Sequence, residues 1–148
     1  MSRENIINAL RAELGDYVLA FQSKSEQRAY LDIAPQAVEK ATLLLLGELG
    51  ARFQIATGVD TSDGFEVMYH WALDELGFVV TLRVLVAHTS PKLNSIALIC
   101  PAAEWIEREM WELLGIQFTG HPDMRHLLLS DDWPEGNYPM RRNHGATP

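Results

Sequence analysis

His121, Asp123, His126, Asp131 and Asp132 stand within a dozen positions of one another. Imidazole nitrogens and carboxylate oxygens are the donors of hydrolytic zinc-type sites, so this cluster raises metal-dependent hydrolysis as a first reading. The spacing argues against it. His121 and His126 are five apart, which does not stack them on one helix face, and Pro122 excludes a helix there. A hydrogen-bonding histidine in a turn is the plainer role for each. Glu107 and Glu109 suggest an acid–base pair, but helix positions two apart point to different sides. No Ser/His/Asp nucleophile arrangement or glycine-rich phosphate loop is present. The single cysteine, Cys100, cannot form a disulfide, a cysteine zinc site or an iron–sulfur site within the chain. What remains is contact chemistry. Arg125, Arg141 and Arg142 are candidate charge-assisted anchors, and Trp111, Trp133 and Tyr138 candidate apolar ones. Trp111 has an alternative place in the domain's own core.

These residues need a scaffold, and the composition supplies one. A chain of 148 residues with 47% hydrophobic and 22% charged residues is a globular domain large enough for a core. The net charge of −8 leaves no basic face for nucleic acid. No apolar run approaches the roughly 20 residues of a membrane helix. The opening MSRENIINAL lacks the layout of a signal peptide. At a membrane, another chain would have to hold this one.

Ser2 is a plausible N-cap for a helix with Ile6, Ile7, Leu10 and Leu14 on one face, ending at Gly15. Tyr17–Phe21 reads as a strand, Gln22–Gln27 as a turn, and Ala29–Ile33 as a half-exposed strand. Pro35 opens a helix running to about Leu49. Its run Leu43–Leu46 covers most of the circumference, so the helix should be buried on a second side, by a neighbouring chain or by the chain's own C-terminal segment. Three alternating segments, roughly 52–58, 64–72 and 77–87, predict consecutive antiparallel strands, with Asp63-Gly64 as a hairpin signal. Val79 and Leu85 make the second face of the last strand partly apolar. Residues 91–99 read as a connector that could hold a short edge strand. Pro101 starts a helix with Ala102, Ile106, Met110 and Leu113 as its apolar stripe, widened by Trp105 and Leu114. Glu104, Arg108 and Glu112 are spaced to pair on its outer face. Gly115 ends it.

The order α-β-β-α-β-β-β-α predicts an α+β fold, with a mixed or antiparallel sheet and helices on one face. The sheet part spans 1–100. The helix and an irregular, extended tail span 101–148 as part of the same structural unit. The tail, rich in proline and glycine, should be mobile after Gly120 unless it lies on another surface.

The stretch EWIEREMWELLGIQFTGHPDMRHLLLSDDWPEGNYPMRR, Glu104–Arg142, resembles the signature of the 30-kDa subunit family of respiratory complex I, which also includes the matching subunit of membrane-bound energy-converting [NiFe] hydrogenases. The matching positions are Glu107, Arg108, Glu109, Glu112, Leu113, Gly115, Ile116, Phe118, Gly120, His121, Pro122, Asp123, Arg125, Leu127–Leu129, Asp131, Asp132 and Trp133. The tail departs from complex I members: Trp133-Pro134-Glu135-Gly136 and Tyr138-Pro139 look more like the hydrogenase side, as do Leu114 and the short length.

The resemblance implies a non-catalytic docking subunit without a cofactor of its own. It would brace the large catalytic subunit of a peripheral arm beside an iron–sulfur subunit, on the cytoplasmic side of the cell membrane, touching the membrane arm only indirectly. Iron–sulfur clusters and a [NiFe] centre would belong to those partners. Glu107, Arg108, Glu109, Trp111, Gly120–Asp123, Arg125, Asp131–Trp133, Tyr138, Arg141 and Arg142 become the expected partner-binding residues, with the tail supplying most of the binding energy. The matching subunit of a NADH–quinone oxidoreductase is the alternative, and a stand-alone hydrolase built on His121, Asp123 and His126 a distant one.

Overall fold

The structure, a computed structural model, describes residues 1–145; the last three residues of the predicted tail lie outside it. Helix α1 (Arg3–Leu14) starts at Ser2, whose side chain accepts from the Asn5 amide, and buries Ile6, Ile7, Leu10 and Leu14. Strands β1 (Val18–Ser25) and β2 (Arg28–Ile33) form an antiparallel pair. β1 runs through the polar residues predicted as a turn. It is the outermost strand, largely exposed, so Gln22–Ser25 have no core to face.

After a turn opened by Pro35, α2 (Val38–Leu43) passes into a π-helical segment, Leu44–Glu48. Leu49 and Ala51 donate to the carbonyls of Leu44 and Leu45. This wide turn buries Leu44 and Leu45 together and leaves Leu43 and Leu46 exposed. Among the described residues the C-terminal segment therefore does not cover the second side of the helix.

β3 (Arg52–Asp60), β4 (Phe65–Leu73) and β5 (Phe78–Val86) are the predicted antiparallel meander. β5 then pairs with β2 in parallel, which gives a five-stranded mixed sheet in the order β1-β2-β5-β4-β3. The fold is α+β, as predicted. Leu31, Tyr69, Trp71, Val80 and Leu82 line the inner face and are buried with Ile6 and Leu10 in one core. The opposite face is half exposed. There Arg83 makes a two-pronged bond to Asp32 (2.7 and 2.8 Å), and His70 bridges Thr57 and Thr81. The connector holds β6 (Lys92–Asn94), which pairs in parallel with β7 (Gln117–Thr119) just beyond α3 (Glu104–Leu114). α3 packs closely over β3: a Cβ on Gly58 would come within 2.7 Å of Leu114.

Candidate functional site

α3 buries Met110 and Leu114 of its predicted apolar stripe, and several of its charges as well. Glu107, Arg108 and Glu112, expected at a partner surface or on an outer charged face, are buried. Among the described residues, neither the Glu104–Arg108 nor the Arg108–Glu112 ion pair forms. Each inward group is consumed by backbone. Glu107 is 0% exposed and accepts from the Ser95 hydroxyl (2.5 Å) and the Ile96 amide (2.8 Å). Burial pushes its pKa up to about 7, against the opposing pull of those two donors. The hydroxyl of Tyr69, pushed well above its usual pKa by burial and by Glu107, has no hydrogen-bond partner among the described residues.

Arg108 donates to the carbonyls of Arg125 (2.9 Å) and His126 (2.6 Å). One turn later Glu112 accepts from the amides of Leu127 (3.0 Å), Leu128 (2.7 Å) and Leu129 (3.3 Å), and from His126 Nδ1 (3.1 Å). Burial alone would raise the Glu112 pKa, but these donors outweigh it and hold the carboxyl below its ordinary value. Together the two side chains satisfy both sides of a segment that has no ladder of its own. Charged residues serve here because the segment offers carbonyls and then amides in succession, and hydrogen bonds to charged groups are stronger than neutral ones.

Residues 133–144 of the tail also make contacts back onto the chain's own domain and with one another. Gly115 takes the left-handed conformation (φ 79°) that ends α3. Met140 N–H donates to Leu113 O (3.0 Å) and Arg141 Nε to Leu114 O (2.7 Å), so two carbonyls left over at the helix end find donors. The Arg141 guanidinium lies over the rings of Tyr138 (4.3 Å) and Phe65 (5.3 Å). The Arg142 amide reaches Asp60, which His88 also contacts at 2.7 Å. Trp133 Nε1 donates to Asn137 O, and Trp111 sits against His126 with centroids 5.4 Å apart. Arg141, Tyr138, Trp133 and Trp111 are thus committed, at least in part, to contacts within the chain.

The histidines do not converge on a metal site. His121 Nδ1 accepts from the Asp123 amide and Nε2 donates to Glu104 O, which uses both ring nitrogens. His126 faces Glu112. Asp123 pairs with Arg125 at the surface (2.9 Å), beside Pro122 and a Gly120 at φ 83°. Asp131 and Asp132 are exposed and far from forming a set: no group of three His, Cys, Asp or Glu side chains suited to a metal occurs among the described residues. The hydrolase reading fails on this geometry. Glu109 alone of the motif's helix charges stays half exposed, with no ion-pair partner among the described residues. Ser95, Asp60, His88 and Met140 matter to this site but gave no local signal, because their roles depend on tertiary contacts. Glu112 did carry a signal: it stood in the family pattern.

Buried Arg108 and Glu112 clamp residues 125–129, just after the Gly-His-Pro-Asp segment, on a mixed five-stranded sheet. Residues 31–148 match the family described as respiratory-chain NADH dehydrogenase, 30 Kd subunit, and the chain belongs to that family. Among its relatives, it is 40% identical over 90 residues to the C subunit of the NADH-quinone oxidoreductase of Chloroherpeton thalassium, covering 60% of this chain and 37% of that protein. It is 39% identical over 85 residues to the C/D subunit of the Methylococcus capsulatus NADH-quinone oxidoreductase, covering 57% of this chain and 14% of that protein. The chain therefore spans well under half the length of these two relatives. Two solved structures share its fold. A trypsin-resistant fragment of Nqo5 superposes with a TM-score of 0.70 at 21% identity, over 83% of this chain and 99% of the fragment. A chain of the membrane-bound sulfane sulfur reductase, an archaeal respiratory membrane complex, gives 0.82 at 22% identity, over 97% and 85%.

Proposed function

We propose that this chain is the C-type docking subunit of a membrane-bound electron-transfer complex. It braces the large catalytic subunit beside an iron–sulfur subunit and performs no redox step itself. The observation that carries this reading is that the matched segment recurs inside relatives named as joint C/D subunits, which supports a D-type subunit as its direct partner. The clamp on residues 125–129 fits a subunit whose work is to present a preformed surface, because a surface ordered in advance loses less entropy on association. Among the described residues no helix is long and apolar enough to cross a membrane; attachment through the complex, on its cytoplasmic side, is part of the same proposal.

The complex could be of the NADH–quinone type, as the curated relatives' names support, or of the energy-converting hydrogenase type. The second reading is favoured by the tail residues Trp133–Gly136 and Tyr138-Pro139. The test is to tag the chain in its native host, solubilise membranes gently and identify what copurifies. A large subunit, iron–sulfur subunits and membrane proteins are expected. The large subunit's cysteines then separate the two complexes, since a hydrogenase holds nickel with two pairs. Recovery of the chain alone would overturn the docking role.

A further inference from the structure

α3 buries Met110 and Leu114 along with Glu107, Arg108 and Glu112, and leaves a further, partly apolar arc incompletely covered. With successive residues about 100° apart, Ala102, Trp105, Ile106, Glu109 and Leu113 share one arc of the helix, and none of them is buried. Trp105 is 66% exposed; Leu98, just before the helix, is 75% exposed, and Met140 beside its far end 63%. Between this arc and β3 lies an open groove of about 200 Å³, lined by Ala56, Thr57, Ile106, Glu109, Leu113 and Met140. β3 is the last strand of the sheet. Among the described residues its backbone ladder runs only to β4, so its other edge offers unpaired amides and carbonyls along the groove. An unpaired edge beside an apolar channel is the geometry that captures an extended strand. Glu109 lines the channel and has no ion-pair partner among the described residues, while Arg108 on the same helix is turned into the domain. The channel is therefore mostly apolar with one carboxylate, Glu109, in its wall.

We infer that this channel receives an extended apolar segment of the large partner subunit, carrying at least one lysine or arginine, which adds as a strand to the outer edge of β3 and seats its side chains against Ile106, Leu113 and Met140. The identity of the partner rests on the docking role proposed above. The location does not follow from it: Trp111, Trp133, Tyr138 and Arg141 spend part of their contacts within the chain, whereas this groove is open.

Site-specific photo-crosslinking in the assembled complex tests the inference. A benzophenone side chain replaces Leu113 in the full-length chain in its host, with Leu19, exposed on the opposite edge strand, as the control. Copurification is read before irradiation; absence of the large subunit at that stage would sink the docking role itself and the inference with it. With the complex present, position 113 should crosslink to one apolar, Lys- or Arg-bearing segment of the large subunit, and position 19 should not. Crosslinks from 113 to another subunit, to a second copy of this chain, or to nothing would overturn the assignment. The charge argument has its own readout. Glu109→Lys, a surface change that should leave thermal unfolding unaltered, is expected to lower the large subunit recovered at least about tenfold. Recovery equal to wild type would remove Glu109, and with it the requirement for a lysine or arginine, from the assignment.

Discussion

Glu107→Gln should make the protein more stable at alkaline pH and less stable in acid, with the difference set by one carboxyl group. Glu107 is fully buried and has, among the described residues, only the Ser95 hydroxyl and the Ile96 amide as partners. Its pKa is raised from 4.5 to about 7. At 1.36 kcal/mol per unit this corresponds to about 3 kcal/mol of penalty on the charged, folded state. The folded state holds its proton where the unfolded chain has already lost it. Stability from this group is thus complete below the unfolded pKa, declines as pH rises, and levels off above about 7. A glutamine cannot ionise, so its contribution stays flat. It can still accept from Ile96, but its amide then donates to Ser95 Oγ, which already accepts from the Ala97 amide at 3.0 Å. The serine proton loses its acceptor, at a cost of about 1 kcal/mol. The variant should therefore start slightly below wild type in acid and gain roughly 2–3 kcal/mol on it between pH 5 and 8. Urea unfolding of both full-length proteins across that range, followed by tryptophan fluorescence, gives the two curves. Other titrating groups move both alike, so their difference isolates Glu107. A difference that is flat with pH, or that moves against the variant as pH rises, would falsify the assignment of a strained, buried carboxylate.

Two further changes probe the tail. Glu112→Ala removes the acceptor for three consecutive amides and for His126. It should cost about 1–3 kcal/mol, abolish hydrogen-exchange protection at Leu127–Leu129, and speed tryptic cleavage at Arg125; unchanged exchange there would show that the clamp does not order the segment. Because the Glu112 pKa is held below its ordinary value, the same protection in wild type should persist at neutral pH and fade as pH falls through the folded value. Gly115→Ala must adopt φ 79° and brings a Cβ within 2.6 Å of the Tyr138 ring. A loss of about 1–3 kcal/mol with release of the Met140 amide is expected, and a wild-type melting curve would refute the close contact.

The sheet was legible because its strands alternate: Phe65, Val67, Tyr69 and Trp71 all face inward, as their period of two requires. β1 was read too short because an edge strand can be polar along its whole length. The parallel pairing of β2 with β5 was not readable, since nothing local to either strand marks a partner 51 residues away. The motif on α3 was legible as a pattern and misread as a surface. The i,i+4 rule assumes that helix charges face water, and it fails where an irregular neighbouring segment supplies enough backbone donors and acceptors to satisfy buried ones. Of the predicted apolar stripe, Met110 and Leu114 do reach the core, while Ala102, Trp105, Ile106 and Leu113 are left incompletely covered.

The parallel pair of β2 and β5 also sets a schedule. β2 leaves the ribosome about 50 residues before its partner, and at some 5–20 residues per second this is several seconds of waiting. In that interval β2 has only β1 beside it, and two strands alone are at best marginally stable. The β3–β5 meander, whose contacts are local, must form before the hairpin can join. The β1–β2 segment is thus the part of the sheet most dependent on being kept from premature association.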